Sequence, residues 1–357
     1  MGNEIGDSFM NKHLKKIQLY FSISIFILTS LVVSGSFLAR NRAEDIARSA
    51  ALAFNSFKYE ISYAQSHGDK NGGLATVATI ITERNSDAEK SNKKAERIPV
   101  LLYHGIVDEP DGSSVLLEDF EEQMFTLKSV GWQTITTRDL YLFMRGDEEL
   151  PDKSFLLTFD DGRKDSYYPV DPILKALNYN AVMFVIVGRS EGGSFHLSFL
   201  ELRKMARSGR WELQAHAYKG HSFEEISQDS ARGHFYSNKL WSLDEKRLET
   251  REEFTDRVRV DLQDAKSKLE NEFGIEVSSF AYPYGDFGQN SLNFSEARMI
   301  VPDIVKSIYL MSFYQTWPGD RASNFNYKGQ DSFLVRRINV NPDWNSEDLL
   351  RIVETGI

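Results

Sequence analysis

The chain of 357 residues has no cysteine. Disulfides and thiolate metal sites are therefore excluded, and any bound metal must rest on His, Asp or Glu. Basic residues are also short: 42 Lys and Arg stand against 52 Asp and Glu, a formal net charge of -10. A nucleic-acid partner, which rewards a basic surface, is not expected. Histidine is scarce, at seven residues, so any close pair of histidines carries information. There are no internal repeats, and long apolar runs are absent with one exception.

That exception is Ile17–Ala39, 23 residues without a charge. At about 1.5 Å per residue, a helix of this length spans a ~30 Å hydrocarbon core. It exceeds the ~7–15 apolar residues usual for a signal peptide, although Ser34 and Ser36 offer a small-residue cleavage site. The reading is a cytoplasmic segment 1–16 with Lys12, Lys15 and Lys16, an uncleaved anchor at 17–39 and a helical, then polar, linker over 40–97. The alternative is secretion after cleavage.

From Ile98 the pattern changes. Short apolar strands alternate with amphipathic segments: IPVLLY, FLLTF, AVMFVIVG, WELQA, SSFAY, SIYLMSFY and FLVRRINV. Capping-box patterns open helices at Ser198–Glu201 and at Thr250–Glu253, and the second helix ends at Gly274. This is an α/β pattern of parallel βα units, and about seven strands favour a distorted (β/α) barrel over 98–357. In such barrels the chemistry sits where strands end.

The strand ends carry the polar residues. FLLTF runs into Asp160-Asp161-Gly162, WELQA into His216 with His221 five residues on, IPVLLY into His104, and SSFAY into Pro283-Tyr284-Gly285. Adjacent carboxylates repel each other unless one meets a cation. Histidines at i and i+5 on a helix would lie about 140° apart, so a shared ion requires a strand end and a loop. Two His and one Asp leave open positions, as a catalytic metal site needs.

These motifs resemble the polysaccharide deacetylases, also called the NodB homology domain or fourth carbohydrate esterase family. LTFDDG is the most specific element, and the resemblance covers about Ile98 to Val340. It implies a metal-dependent hydrolase that removes N-acetyl groups from N-acetylglucosamine in a cell-envelope or extracellular polysaccharide, with the domain outside the membrane. Asp160 is then the general base, while Asp161, His216 and His221 hold a divalent ion, zinc with cobalt or nickel as alternatives. The Tyr284 N–H faces the oxyanion. Leu102-Tyr103-His104 matches the motif that supplies the general acid, although it stands near the start of the domain, an order similar to a permuted branch that includes poly-N-acetylglucosamine deacetylases. The wide His-x-x-x-x-His spacing is similar to the same branch.

One departure stands out. The family's R-x-P-Y-G motif reads Ala281-Tyr-Pro-Tyr-Gly285 here, so the arginine that steadies the base is missing. Arg336 or Arg337 is the candidate replacement. Among aromatics near the loops, Tyr284, Tyr218 and Trp344 are candidate sugar contacts, whereas Trp211 and Tyr282 read as core. Two other functions remain in view: a carbohydrate-binding protein with a decayed site, and an esterase acting on O-acetyl groups of a glycan. Oligomeric state and the role of 222–250 are not legible.

Overall fold

The computed structural model describes residues 93–191, 195–317 and 324–356. The expected anchor at 17–39 and the linker up to residue 92 lie outside them. Among the described residues no helix is long and apolar enough to cross a membrane.

Seven parallel strands close into a barrel: β1 (Val100–Tyr103), β3 (Ser154–Phe159), β4 (Ala181–Ile186), β5 (Trp211–Ala217), β6 (Ser279–Ala281), β7 (Met311–Thr316) and β8 (Val335–Asn339). The short β2 (Gln133–Thr134) pairs with the first residues of β3. Closure comes from β1, which pairs with β8 through Ile338↔Leu101 and with β3 through Leu101↔Leu157. The ring is thinnest between β5 and β6, where Phe280↔Ala215 is the registered pair. Every residue of β1, β3, β4 and β6 is buried, as expected for strands covered on both faces.

Helices wrap the barrel: α1 (Leu117–Ser129), α2 (Thr137–Arg145), α3 (Val170–Leu177), α4 (Phe199–Arg207), α5 (Arg251–Phe273), α6 (Ala297–Ile308) and α7 (Ser346–Thr355). Both expected capping boxes form, at Ser198 for α4 and at Thr250 for α5. The buried stripe of α5 holds Phe254, Val258, Leu262, Ala265 and Leu269, and one polar residue, Asp261. Helix α6 corrects the strand expected from Ser307: Ser307 and Ile308 are helical and the strand starts at Met311. Pro302 inside α6 had masked the helical pattern; it can neither donate to the preceding turn nor fit its carbonyl freely.

Just ahead of β1, Ala95 donates its N–H to Leu150 O at 2.8 Å, and Arg97–Ile98 pairs with Asn326–Tyr327. Residues 93–98 therefore lie along the barrel.

Candidate active site

The adjacent carboxylates of the FLLTFDDG stretch are brought to one point by a sharp turn. In a continued strand, neighbouring side chains would face opposite ways. Asp161 instead adopts φ 73 and Gly162 φ 71, both left-handed. The turn leaves Asp160 Oδ2 3.7 Å and Asp161 Oδ1 3.6 Å from the same atom, His216 Nε2. Asp161 Oδ1 is also 3.3 Å from His221 Nε2.

His216 is buried one residue before the end of β5, and its Nδ1–H donates to Ala281 O at 2.8 Å. That bond fixes the tautomer and leaves the Nε2 lone pair facing Asp161. The loop to His221 is held by hydrogen bonds from both sides. Asp261 accepts from Tyr218 N at 3.0 Å, from Lys219 N at 2.7 Å and from the Tyr236 hydroxyl at 2.5 Å. Gly188 N donates to Tyr218 O at 2.9 Å. Gly220 sits so close to Tyr236 that a Cβ would lie 2.6 Å from its ring, so only glycine fits there. The wide histidine spacing thus depends on a loop gripped by α5 and by the 222–250 segment.

One donor atom each from Asp161, His216 and His221 lies within 4.8 Å of the others. Asp161 Oδ1 is buried with no hydrogen-bond partner, and such an orphan calls for an explanation. A tetrahedral zinc with bonds near 2.0–2.1 Å would separate its ligands by roughly 3.4 Å, close to the 3.3 and 3.6 Å seen here. Burial and the neighbouring His216 hold the His221 imidazole down at about 4, so it is neutral at pH 7, as a ligand must be. The residues fit a divalent cation.

Asp160 is fully buried, and Arg337 forks its carboxylate with Nη1 at 2.6 Å and Nη2 at 2.7 Å. Burial pushes this carboxyl up; Arg337 first, then His216 and His104, outweigh it and bring it to about 2. Arg336 takes no part: its Nη1 donates to Phe325 O at 3.0 Å, because successive strand residues face opposite ways. Of the two candidate arginines, Arg337 is the one that meets Asp160.

His104 follows β1. Burial lowers its pKa, partly offset by Asp160 and Asp161. Its side chain lines a cleft of about 460 Å³ with Gly105, Arg163, Trp317, Asn339 and Asn341. Tyr284 lies in the turn after β6 at φ 58, with its ring 4.3 Å from that of His221. The Tyr218 hydroxyl donates to Glu191 at 3.2 Å. Trp344 is tied to α1, its carbonyl accepting from Gln123 Nε2 at 2.6 Å, and is not among the cleft's lining residues. Trp317, 46% exposed, is the indole at the cleft. Trp211 and Tyr282 are buried. Trp317, Asp261 and Tyr236 escaped sequence reading; only the buried-face position of Asp261 signalled a special residue.

Two carboxylates and two histidines thus meet where strands of a parallel barrel end, with the buried Arg337 of β8 against one of the carboxylates. Residues 147–298 match the family model for polysaccharide deacetylase. β1 with His104, β7 and β8 with Arg337 lie outside the matched residues. The chain is 25% identical over 262 residues to YxkH of Bacillus subtilis, provisionally named a polysaccharide deacetylase, covering 73% of this chain and 77% of that protein. It is 26% identical over 203 residues to the poly-beta-1,6-N-acetyl-D-glucosamine N-deacetylase of Escherichia coli, covering 52% of this chain but only 30% of that enzyme. The fold matches a solved de-N-acetylase from Aggregatibacter actinomycetemcomitans with TM-score 0.60 at 19% identity, over 71% of this chain and 99% of that one.

Proposed function

We propose that this protein is a metal-dependent N-deacetylase of a polysaccharide containing N-acetylglucosamine, in the cell envelope or the extracellular matrix, and that it releases acetate. The observation that carries the reading is the convergence of Asp161, His216 and His221 beside an Asp160 forked by Arg337. The substrate named for the Escherichia coli relative supports the choice of glycan.

Asp161, His216 and His221 would hold the ion, zinc before cobalt or nickel. When bound there, a divalent cation supplies Lewis acidity, polarising an acyl oxygen and making water a better nucleophile at neutral pH. Asp160, ionised through Arg337, takes a proton from the attacking water. The Tyr284 N–H donates to the acetyl oxygen as it gains charge. His104 gives a proton to the leaving nitrogen as the C–N bond breaks; its lowered pKa makes the imidazolium a stronger acid. The products are acetate and a free amine on the sugar. Trp317 offers a ring face to the chain near His104.

The same reading places Ile17–Ala39 in the membrane and the domain outside it, where such glycans lie. Acetate release from N-acetylglucosamine oligomers, set against acetylated xylan, tests the activity. Release from the xylan alone would make the enzyme an O-acetyl esterase and overturn the reading.

A further inference from the structure

The 222–250 segment carries a second histidine–aspartate pair that the proposed chemistry does not use. His234 ends a hairpin formed by Phe223–Glu225 and Arg232–His234. Its Nδ1 lies 2.5 Å from Oδ2 of Asp286, a carboxylate only 1% exposed. The His234 ring lies flat on the Tyr284 ring, with centroids 4.5 Å apart and planes 7° apart. Phe223 borders both, 4.6 Å from His234 and 5.2 Å from Tyr284.

The chain just after the hairpin has a fastening of its own. Arg257 on α5 already donates to Phe235 O at 2.8 Å and to Asn238 O at 2.9 Å, and it pairs with Glu249 at 2.7 Å. A buried carboxylate on an imidazole is costly to desolvate and is weak evidence for stability alone. What it touches is a strained residue. Tyr284 holds φ 58, a conformation that a bulky side chain avoids and that persists only when its surroundings over-determine it. Asp286 fixes the chain on one side: its N–H donates to Pro283 O at 3.0 Å, and its Oδ1 accepts from Gly288 N at 3.0 Å. Through His234 the same carboxylate fixes the ring.

We propose that His234, seated on Asp286, is a positioning residue that clamps the Tyr284 ring and so holds the left-handed backbone that aims the Tyr284 N–H into the site. The purpose of the aim rests on the proposed function; the clamp itself does not.

The test uses the full chain with His234→Ala, His234→Phe and Asp286→Asn. It reads kcat and KM for acetate release from N-acetylglucosamine oligomers, bound zinc, and amide hydrogen exchange at residues 284–286. His234→Ala should lower kcat about 10–100-fold, less than the ~100–1,000-fold lost with a whole oxyanion donor. KM and zinc stoichiometry should hold, while exchange at 284–286 speeds up. His234→Phe keeps a ring for stacking and should recover most of both effects, with Asp286→Asn between them. A raised KM with unchanged kcat would make His234 a wall of the substrate groove, and unchanged exchange in every variant would remove the clamp. If the parent protein releases no acetate, the functional reading fails, and the exchange data still decide the clamp.

Discussion

Arg337 reaches past β1 to grip Asp160, the two strands that carry them flanking β1 on either side. Both side chains are fully buried, so each is the other's neutralising partner. Arg337→Met would leave a carboxylate that burial pushes upward with its main opposing charge gone. Breaking one side of such a pair costs about 3–5 kcal/mol. The urea midpoint should drop accordingly, and acetate release should fall at least ~100-fold, the lower range for a lost general base. A variant as stable and active as the parent would contradict the pair's role.

The proton acceptor and the ion-holding residues should separate cleanly by mutation. Asp160→Asn removes the proton acceptor and leaves Asp161, His216 and His221 in place. It should bind zinc with parent stoichiometry and release little acetate. His216→Ala should lose both. Metal analysis and turnover on the same samples check this, and equal zinc loss in the two variants would merge the roles.

Stability of the metal-free protein should fall with acid in two stages. His221 is held at about 4, below the ordinary 6.5, so the unfolded chain binds its proton first and stability drains between pH 6.5 and about 4. Asp160 is held at about 2, below the ordinary 3.8, so its contribution is complete above 3.8 and is lost as pH falls toward 2. Thermal midpoints from pH 7 to 3, with and without zinc, read the effect. Zinc should raise the midpoint at pH 7 and lose that effect below the first stage, because protonated histidine cannot ligate.

Asp261 grips the histidine loop from α5 with both carboxylate oxygens. Asp261→Asn keeps the shape but surrenders an acceptor. By analogy with lost outer supports of metal ligands, zinc affinity should fall about 10–100-fold while the fold persists. Competition titration with a chelator measures it; an unchanged affinity would make Asp261 a packing residue only.

Much of the site was legible because its residues end strands and so stand in local patterns: Asp160-Asp161, His216, His104 and the Tyr284 turn all follow apolar runs. The choice between Arg336 and Arg337 was not, since it depends on which strand face meets β3. Trp317 and Trp344 both follow barrel strands near the carboxyl end, and only the folded path separates the one at the cleft from the one tied to α1. His234 and Asp286 lie 52 residues apart and carry no motif. In the fold, Pro302 hid α6, and α7, capped by Asn345, passed unread.

The most direct test of the central claim is bound metal and acetate release measured together on the full chain with N-acetylglucosamine oligomers. The account predicts about one divalent ion per chain, with acetate release abolished by a chelator and restored by zinc. Acetate release that persists in the chelated, metal-free protein would contradict it, as would a protein that takes up no metal after reloading.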